Sequence, residues 1–269
     1  MSFVPTPIGN LGDITLRSLE VISSAKTVFC EDTRVTKSLF KLLSERYSEL
    51  FRDFERDFIS LHSHNEKRVL QNLNLDIFQE NSIYVSDAGL PGVSDPGIEL
   101  LRFARDKNIE FQVLPGATAS TIAHLLSGFS EKEFLFYGFL PHKGNIRKSE
   151  LEKTIWSGYS AIFYESPHRL QKLLLELSEI APHRQIFVGK ELTKKYENRW
   201  WGTAEEIQRD FQSVNIKGEW VVVVEGENRF SGGIVLEDIE KLDIPPKEKA
   251  KLISKVTGEK VKDIYNRLI

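Results

Sequence analysis

The chain has 269 residues, of which 41% are hydrophobic and 28% are charged, and its formal net charge at pH 7 is -3. This composition is typical of a globular protein and excludes a disordered, fibrous or membrane-spanning chain. The acidic balance also argues against a protein whose whole surface binds phosphate backbones.

The single cysteine, Cys30, lies in the apolar run TVFC. A lone cysteine excludes an internal disulfide framework and indicates a reducing compartment. The sequence shows no signal-peptide pattern, and no apolar run approaches the roughly 18 residues that span a bilayer. We therefore expect a cytoplasmic protein with no membrane partner.

Short β-branched or aromatic segments alternate with helical patterns along the first half of the chain. The segments SFVP, TVFC, FISLH, SIYVS and FQVLP predict strands, and the stretches between them place apolar residues at helical spacing. This alternation predicts an α/β fold with an open, mostly parallel sheet covered by helices. The pattern continues through a helical stretch to another predicted strand, FLFYGFL.

The polar and basic stretch after Pro141 is the predicted domain boundary. Beyond it, AIFYE, QIFVG and WVVVVEG predict the strands of a second α/β domain. From residue 244 onward, a Pro-Pro start and a Thr-Gly break predict a helical hairpin, which carries seven Lys/Arg against three Asp/Glu. We predict domains at 1–141, 142–243 and 244–269.

The loop SDAGLPGVSDPG, residues 86–97, follows a predicted strand at the position where open α/β sheets bind ligands. It contains no Lys or Arg and matches neither GxGxxG nor the Walker pattern, so it is poorly suited to a pyrophosphate. Asp87 favours a ligand with hydroxyl groups or a positive charge. The turn PGATAS, with Thr118 as a helix cap, offers backbone donors at another strand end.

Eight motifs occur in one order along nearly the whole chain: PTPIGNLGDIT, EDTR, HNE, SDAGLPGVSDPG, PGATA, YGFLPHKG, FYESPHR and ELTKKYE. In this order and spacing the chain resembles the ribosomal RNA small subunit methyltransferase I family, a branch of the tetrapyrrole (corrin/porphyrin) methylase superfamily. The resemblance implies two α/β domains, the second with a mixed sheet, and a homodimer. It also implies that S-adenosylmethionine is the methyl donor and that the acceptor is the ribose 2′-oxygen of a cytidine in the decoding region of 16S rRNA, within the small ribosomal subunit.

The resemblance further implies which residues bind the cofactor. The first-domain candidates are Pro7, Ile8, Gly9, Asp87, Ala88, Gly89, Leu90, Pro91, Gly92, Gly116, Thr118 and Ala119. The second domain would close the pocket with Tyr164, Leu192 and Gly218.

Methyl transfer to a hydroxyl removes its proton, so a general base is expected at the strand ends. The candidates are Asp32, His64, Glu66, Glu165, Lys190 and Glu191. The pair Lys190 and Glu191 is favoured by analogy with other ribose methyltransferases, which often combine a lysine with carboxylates. His62 and His64 have metal-ligand spacing, but no further ligand follows nearby, so we predict no metal.

Candidate RNA contacts are basic residues near the predicted cleft: Arg34, Lys143, Arg147, Lys148, His168 and Arg169. The three residues after Pro141 would form an RNA-facing rim at the domain boundary, and the basic hairpin would add local charge. For Arg34 the alternative is a solvated charge on a helix. Because the protein is mildly acidic, we expect weak, salt-sensitive binding to isolated rRNA.

The sequence is also compatible with two other functions. A tetrapyrrole methylase would keep the donor and change the acceptor, and the motifs HNE and ESPHR argue against it. A non-catalytic ribosome-binding protein would keep the fold without the cofactor. The intact glycines and Asp87 argue against that alternative.

Overall fold

The computed structural model describes residues 1–51, 55–129, 132–142, 144–227 and 236–269. In its first part, strands and helices alternate along the chain: β1 (Ser2–Phe3), α1 (Leu16–Ser24), β2 (Thr27–Cys30), α2 (Thr33–Arg46), β3 (Asp57–Ser60), α3 (Glu66–Gln71), β4 (Ser82–Val85), α4 (Ile98–Asp106) and β5 (Gln112–Val113).

The second part continues with α5 (Ala119–Ser127), β6 (Phe134–Phe139), α6 (Gly144–Ile155), β7 (Ser160–Glu165), α7 (Pro167–Ile180), β8 (Gln185–Lys190), β9 (Asn198–Thr203), α8 (Ala204–Asp210), β10 (Trp220–Val224), α9 (Leu236–Lys241), α10 (Pro246–Thr257) and α11 (Val261–Leu268). No helix in these described stretches is long and apolar enough to cross a bilayer.

The first sheet is parallel and has the order β3-β2-β4-β1-β5. Its inner strands β2 and β4 are buried at every position, as is typical of a parallel sheet covered on both faces. Helices α1 and α2 pack on one face, and α3 and α4 pack on the other. The predicted open parallel sheet is therefore confirmed.

The second sheet is mixed and has the order β6-β7-β10-β8-β9. Strands β6 and β7 are parallel, whereas β7, β10, β8 and β9 pair antiparallel in succession. Helix α5 covers one face through Ala123, which packs with Phe187 and Val221. Helices α6, α7 and α8 cover the other face. The two-domain α/β fold with a mixed second sheet is confirmed as well.

The packing partners of two segments lie across the predicted domain bounds. Strand β6 belongs to the second sheet although it precedes Pro141, and α5 packs on that sheet too. The division between the sheets therefore falls after β5, not at residue 141. Helix α9, predicted to lie in the second domain, packs through Ile239 with Ile253 and Ile264 of the C-terminal helices. Sequence patterning missed both assignments because it detects elements but not their partners.

Candidate active site

A cavity of about 410 Å³ lies between loops of the two sheets. Loops after β1 and β4 and the start of α5 form one wall. The ends of β6, β7 and β8 and the start of β10 form the other wall. This volume is within the usual range for small-molecule sites, about 300–1,000 Å³.

The first wall is held together by hydrogen bonds between neighbouring strand ends. Thr6 and Gly89 exchange backbone bonds at 3.0 and 3.1 Å, and the Thr6 hydroxyl donates to the Ser86 carbonyl at 3.2 Å. At Gly116, a Cβ atom would stand 2.3 Å from the ring of Pro5. The absence of a side chain there lets the turn before α5 pack directly on the loop after β1.

The second wall depends on a tight loop after β8. Glu191 and Thr193 adopt positive φ angles of 51° and 66°. The Glu191 carboxylate accepts from the Glu219 backbone amide at 2.7 Å and from Lys194 Nζ at 3.3 Å, which ties this loop to the start of β10. The loop also contacts the first domain, where the backbone amide of Asn10 donates to the Thr193 hydroxyl at 3.2 Å.

The cavity is acidic. Asp87, Asp95, Glu165 and Glu219 are all in its lining, and among the described lining residues none is Lys, Arg or His. Burial raises the pKa of the Asp87 carboxyl. Burial and the Glu31 and Asp87 carboxylates raise the pKa of Asp95 to about 6. Such a site attracts a positively charged ligand and repels an anion.

Many of the predicted cofactor residues line the cavity: Ile8, Asp87, Ala88, Gly89, Leu90, Thr118, Ala119, Tyr164, Leu192 and Gly218. The others, Pro7, Gly9, Pro91, Gly92 and Gly116, lie outside its lining. Two of these glycines shape the walls instead. Gly116 packs on Pro5, and a Cβ atom at Gly9 would stand 2.7 Å from the Thr193 hydroxyl.

Most of the predicted base candidates do not lie in the cavity lining. Lys190 is turned away, with its Nζ donating to the Asn215 carbonyl at 2.8 Å. His64 is exposed outside the lining. Glu66 is buried and accepts from the Leu100 amide at 3.2 Å, so it caps the start of α4. The Glu191 carboxylate accepts from the Glu219 backbone amide and from Lys194 within the loop after β8. These placements argue against all four as the base.

Asp32, also considered as a base, lies at the start of α2. Its carboxylate accepts from the backbone amide and the side chain of Arg34. These bonds lower its pKa to about 2, which makes it a weak base. Its own backbone amide donates to the Asp87 carboxylate at 3.3 Å, so it supports the cavity wall.

The prediction that Arg147 and Arg169 contact RNA disagrees with the structure. Arg147 is only 1% exposed and pairs with Glu165 at 3.2 Å and with Glu176 at 2.8 Å. Arg169 pairs with Glu165 at 3.2 Å and donates to the Leu140 and Pro141 carbonyls. Both guanidinium groups therefore neutralise the buried Glu165 inside the second domain.

The remaining RNA candidates are solvent-facing where the structure describes them. Arg34, Lys148 and His168 are exposed, whereas Lys143 lies outside the described residues. Arg34 borders a second, shallow groove along α2, which the exposed Val35 also lines and which shares Asp87 with the cavity. Lys148 pairs with Glu152 at 4.0 Å on the surface of α6.

Several cavity residues were missed by sequence reasoning, above all Asp95. It repeats the Ser-Asp pair of the same loop, since SDAG at 86–89 is followed by SDPG at 94–97. That repeat was the available signal. Phe139 lies in the motif YGFLPHKG but was not predicted as a site residue, and Glu219 and Trp220 lie in none of the eight motifs. Only the packing of the second sheet brings these three residues to the cavity.

Comparison with known proteins identifies the family of the chain. Residues 1–208 match the family model described as Tetrapyrrole (Corrin/Porphyrin) Methylases. The chain is 44% identical over 269 residues to "Ribosomal RNA small subunit methyltransferase I" of Campylobacter fetus, covering 99% of this chain and 98% of that protein. It is 40% identical over 274 residues to the protein of the same name from Helicobacter pylori strain J99, covering 98% and 95%.

Solved structures show the same fold at low sequence identity. A crystal structure of uroporphyrin-III-C-methyltransferase from Thermus thermophilus has a TM-score of 0.56 at 16% identity and covers 83% of this chain and 93% of that one. A cobalt precorrin-4 methyltransferase, a cobalamin biosynthetic enzyme, has a TM-score of 0.59 at 12% identity, with the same coverage of 83% and 93%.

The family model and the named relatives, together with the fold, define the class as a two-domain α/β methyltransferase. Methyltransferases of this class generally depend on S-adenosylmethionine. The chain belongs to the tetrapyrrole methylase family, in the group of its members named ribosomal RNA small subunit methyltransferase I.

Proposed function

We propose that this protein transfers a methyl group from S-adenosylmethionine to the ribose 2′-oxygen of a cytidine in the decoding region of 16S rRNA, within the small ribosomal subunit. The observation that carries the substrate class is the near-full-length similarity to proteins named for ribosomal RNA of the small subunit. The proposal includes a cytoplasmic homodimer, which rests on the family resemblance alone.

The charge of the cavity fits the proposed donor. S-adenosylmethionine supplies an electrophilic methyl group on a positively charged sulfur. The Asp87 and Asp95 carboxylates line the cavity, and the described lining contains no Lys, Arg or His, so the cavity favours that cation electrostatically. Carboxylates also accept hydrogen bonds from ribose hydroxyls.

The shape of the cavity adds a second argument. Leu90, Leu192 and Val221 supply apolar surface. Gly189 lets Leu192 and Val221 approach closely, since a Cβ atom there would stand 3.0 Å from each side chain. Small-molecule sites commonly combine such an apolar lining with a few placed polar groups. We propose that these residues hold the cofactor between the two domains.

The groove along α2 provides a route for the RNA. It meets the cavity at Asp87 and carries Arg34 on its rim. A nucleotide lying in this groove would place its phosphate near Arg34 while its ribose enters the cavity. Electrostatic contacts of this kind position RNA without reading its sequence.

The proposal is tested by incubating the protein with labelled S-adenosylmethionine and small ribosomal subunits that lack the modification, with naked 16S rRNA in parallel. Alkaline hydrolysis then separates the products. Methylation of a 2′-oxygen blocks backbone cleavage, so we expect label in an alkali-resistant dinucleotide. Label in a mononucleotide would contradict ribose methylation. Cofactor binding without any transfer to subunits would instead direct attention to a tetrapyrrole acceptor.

A cavity-filling variant provides the control for cofactor binding. Ala119 lines the cavity at the start of α5, and Ala119→Phe would place a ring in that space. We expect this variant to remain folded and to bind S-adenosylmethionine at least about tenfold more weakly by calorimetry, a loss of about 1.4 kcal/mol. Equal affinity in the two proteins would show that the cofactor binds elsewhere.

A further inference from the structure

Four carboxylates line the cavity, and two of them are already committed to cations. Glu165 has a fully buried side chain between Arg147 and Arg169, each at 3.2 Å. Glu219 is 71% exposed at its side chain and pairs with Lys194 at 2.9 Å. A carboxylate that already accepts from a cation has fewer oxygen lone pairs left to accept a hydrogen bond from a substrate hydroxyl.

The other two carboxylates, Asp87 and Asp95, differ in their surroundings. Asp87 accepts from the Asp32 backbone amide at 3.3 Å, a bond that connects the end of β4 to the start of α2. Among the described residues, Asp95 has no such hydrogen bond to a neighbouring strand. Its main charged neighbours are the Glu31 and Asp87 carboxylates, and the nearby Ser86 hydroxyl donates to the Gly89 carbonyl at 3.0 Å.

Asp95 also lies where the two walls of the cavity approach each other. Its charge acts on Glu31 and Asp87 of the first domain and on Glu219 and Tyr164 of the second. The preceding residue, Ser94, reaches the second sheet, where a Cβ atom at Gly138 would stand 3.4 Å from its hydroxyl. A group in this position can contact both a bound donor and an incoming acceptor.

We propose that Asp95 is the general base that removes the proton from the acceptor hydroxyl during methyl transfer. This inference rests on the proposed function. The 2′-oxygen forms a bond to the methyl carbon, the carbon–sulfur bond breaks, and its electron pair stays on sulfur as a neutral thioether. The hydroxyl proton goes to the Asp95 carboxylate and from there to solvent.

The acid–base properties of Asp95 suit this role. Burial, followed by the Glu31 and Asp87 carboxylates, raises its pKa to about 6, while the nearby Ser86 hydroxyl acts in the opposite direction. At neutral pH such a carboxylate is mainly ionised, yet it is more basic than an ordinary aspartate. General bases work best when their pKa lies near the operating pH.

The test uses Asp95→Asn, which keeps the shape of the side chain and removes its basicity. With saturating S-adenosylmethionine and small ribosomal subunits, we expect kcat to fall about 10²–10⁴-fold. The affinity for S-adenosylmethionine, measured separately by calorimetry, should fall less than about tenfold, because the cofactor loses one favourable charge but no shape complementarity. Asp95→Glu keeps a carboxylate and should recover part of the lost kcat.

The pH profile separates a base from a residue that only shapes the cavity. Wild-type kcat should rise with pH through about 6 and then level off, and Asp95→Asn should lose this limb. Asp106→Asn is the matched control, since Asp106 is exposed at the far end of α4 and pairs with Arg105. It should keep the wild-type kcat and profile.

Two results would overturn the inference. One is a kcat for Asp95→Asn within about threefold of wild type at saturating cofactor, with only the affinity changed. The other is a pH limb near 6 that persists in this variant. Neither resembles a failure of the proposed function, in which wild-type protein itself would transfer no label to the ribose of subunit RNA.

Discussion

Replacing Arg147 with methionine should destabilise the second domain strongly. The variant keeps an apolar stem but removes the hydrogen bonds to Glu176 at 2.8 Å and to Glu165 and the Pro141 carbonyl at 3.2 Å. Removing one partner of a buried ion pair usually costs about 3–5 kcal/mol. Because Glu165 keeps Arg169 and the Glu176 side chain is 20% exposed, we expect the lower end, about 3 kcal/mol.

The tryptophans provide a probe confined to the affected domain. All four, at positions 156, 200, 201 and 220, lie in the part of the chain that forms the second sheet and its helices. The ring centroids of Trp200 and Trp220 lie 5.7 Å apart within its core. Intrinsic fluorescence during urea unfolding therefore reports on this domain. In a thermal scan, the expected loss corresponds to a fall in Tm of about 6–12 °C.

Lys148→Met is the matched control on the same helix. The Lys148 side chain is 71% exposed, and its pair with Glu152 is at 4.0 Å, so its loss should change the stability by less than about 0.5 kcal/mol. Equal, small effects of the two substitutions would refute the argument that Arg147 is an internal counter-ion. Arg147 would then have to be accessible in solution, as an RNA contact requires.

Three further predictions follow from particular residues. Gly97→Ala should lower the free energy of unfolding by about 3 kcal/mol, since φ at Gly97 is +119° and a Cβ atom would stand 2.4 Å from Tyr84. Gly258→Ala, at a position with φ +74° and open space, should lower it by only about 1 kcal/mol. Both values are measured by urea unfolding followed by circular dichroism. The pKa of Asp95 is raised on folding from 3.8 to about 6, so its ionisation opposes folding at high pH. Asp95→Asn should therefore be more stable than wild type at pH 8 by up to about 3 kcal/mol. This gain in stability should vanish as the pH falls through about 6 to below 4. A constant difference across this range would contradict the assigned pKa. Arg34→Ala should weaken binding to small subunits and reduce the salt slope by about one, with cofactor affinity unchanged; an unaltered slope would mean that Arg34 contacts no phosphate.

The local pattern of the sequence was enough to predict the elements and one wall of the site. Alternating apolar segments and helical stretches predicted the parallel sheet, because burial on both faces requires continuous apolar strands such as β2 and β4. The loop from Ser86 to Gly97 was predicted to form a ligand wall because its glycines and aspartates follow directly on β4. Asp87 and its neighbours do line the cavity. These features depend on residues that are close along the chain.

Only the tertiary structure decided which charged side chains of the predicted site are paired with other groups of the protein. Arg147 lies in a polar segment and was predicted to be a surface cation, but it pairs with Glu176, 29 residues away, and with the buried Glu165. Lys190 stands next to the cavity in sequence but donates to a carbonyl 25 residues away. Asp95 lies in the predicted loop, but its pKa is raised only because folding buries it among other carboxylates. Pairing and desolvation depend on groups that folding brings together from distant positions, so no local pattern contains them.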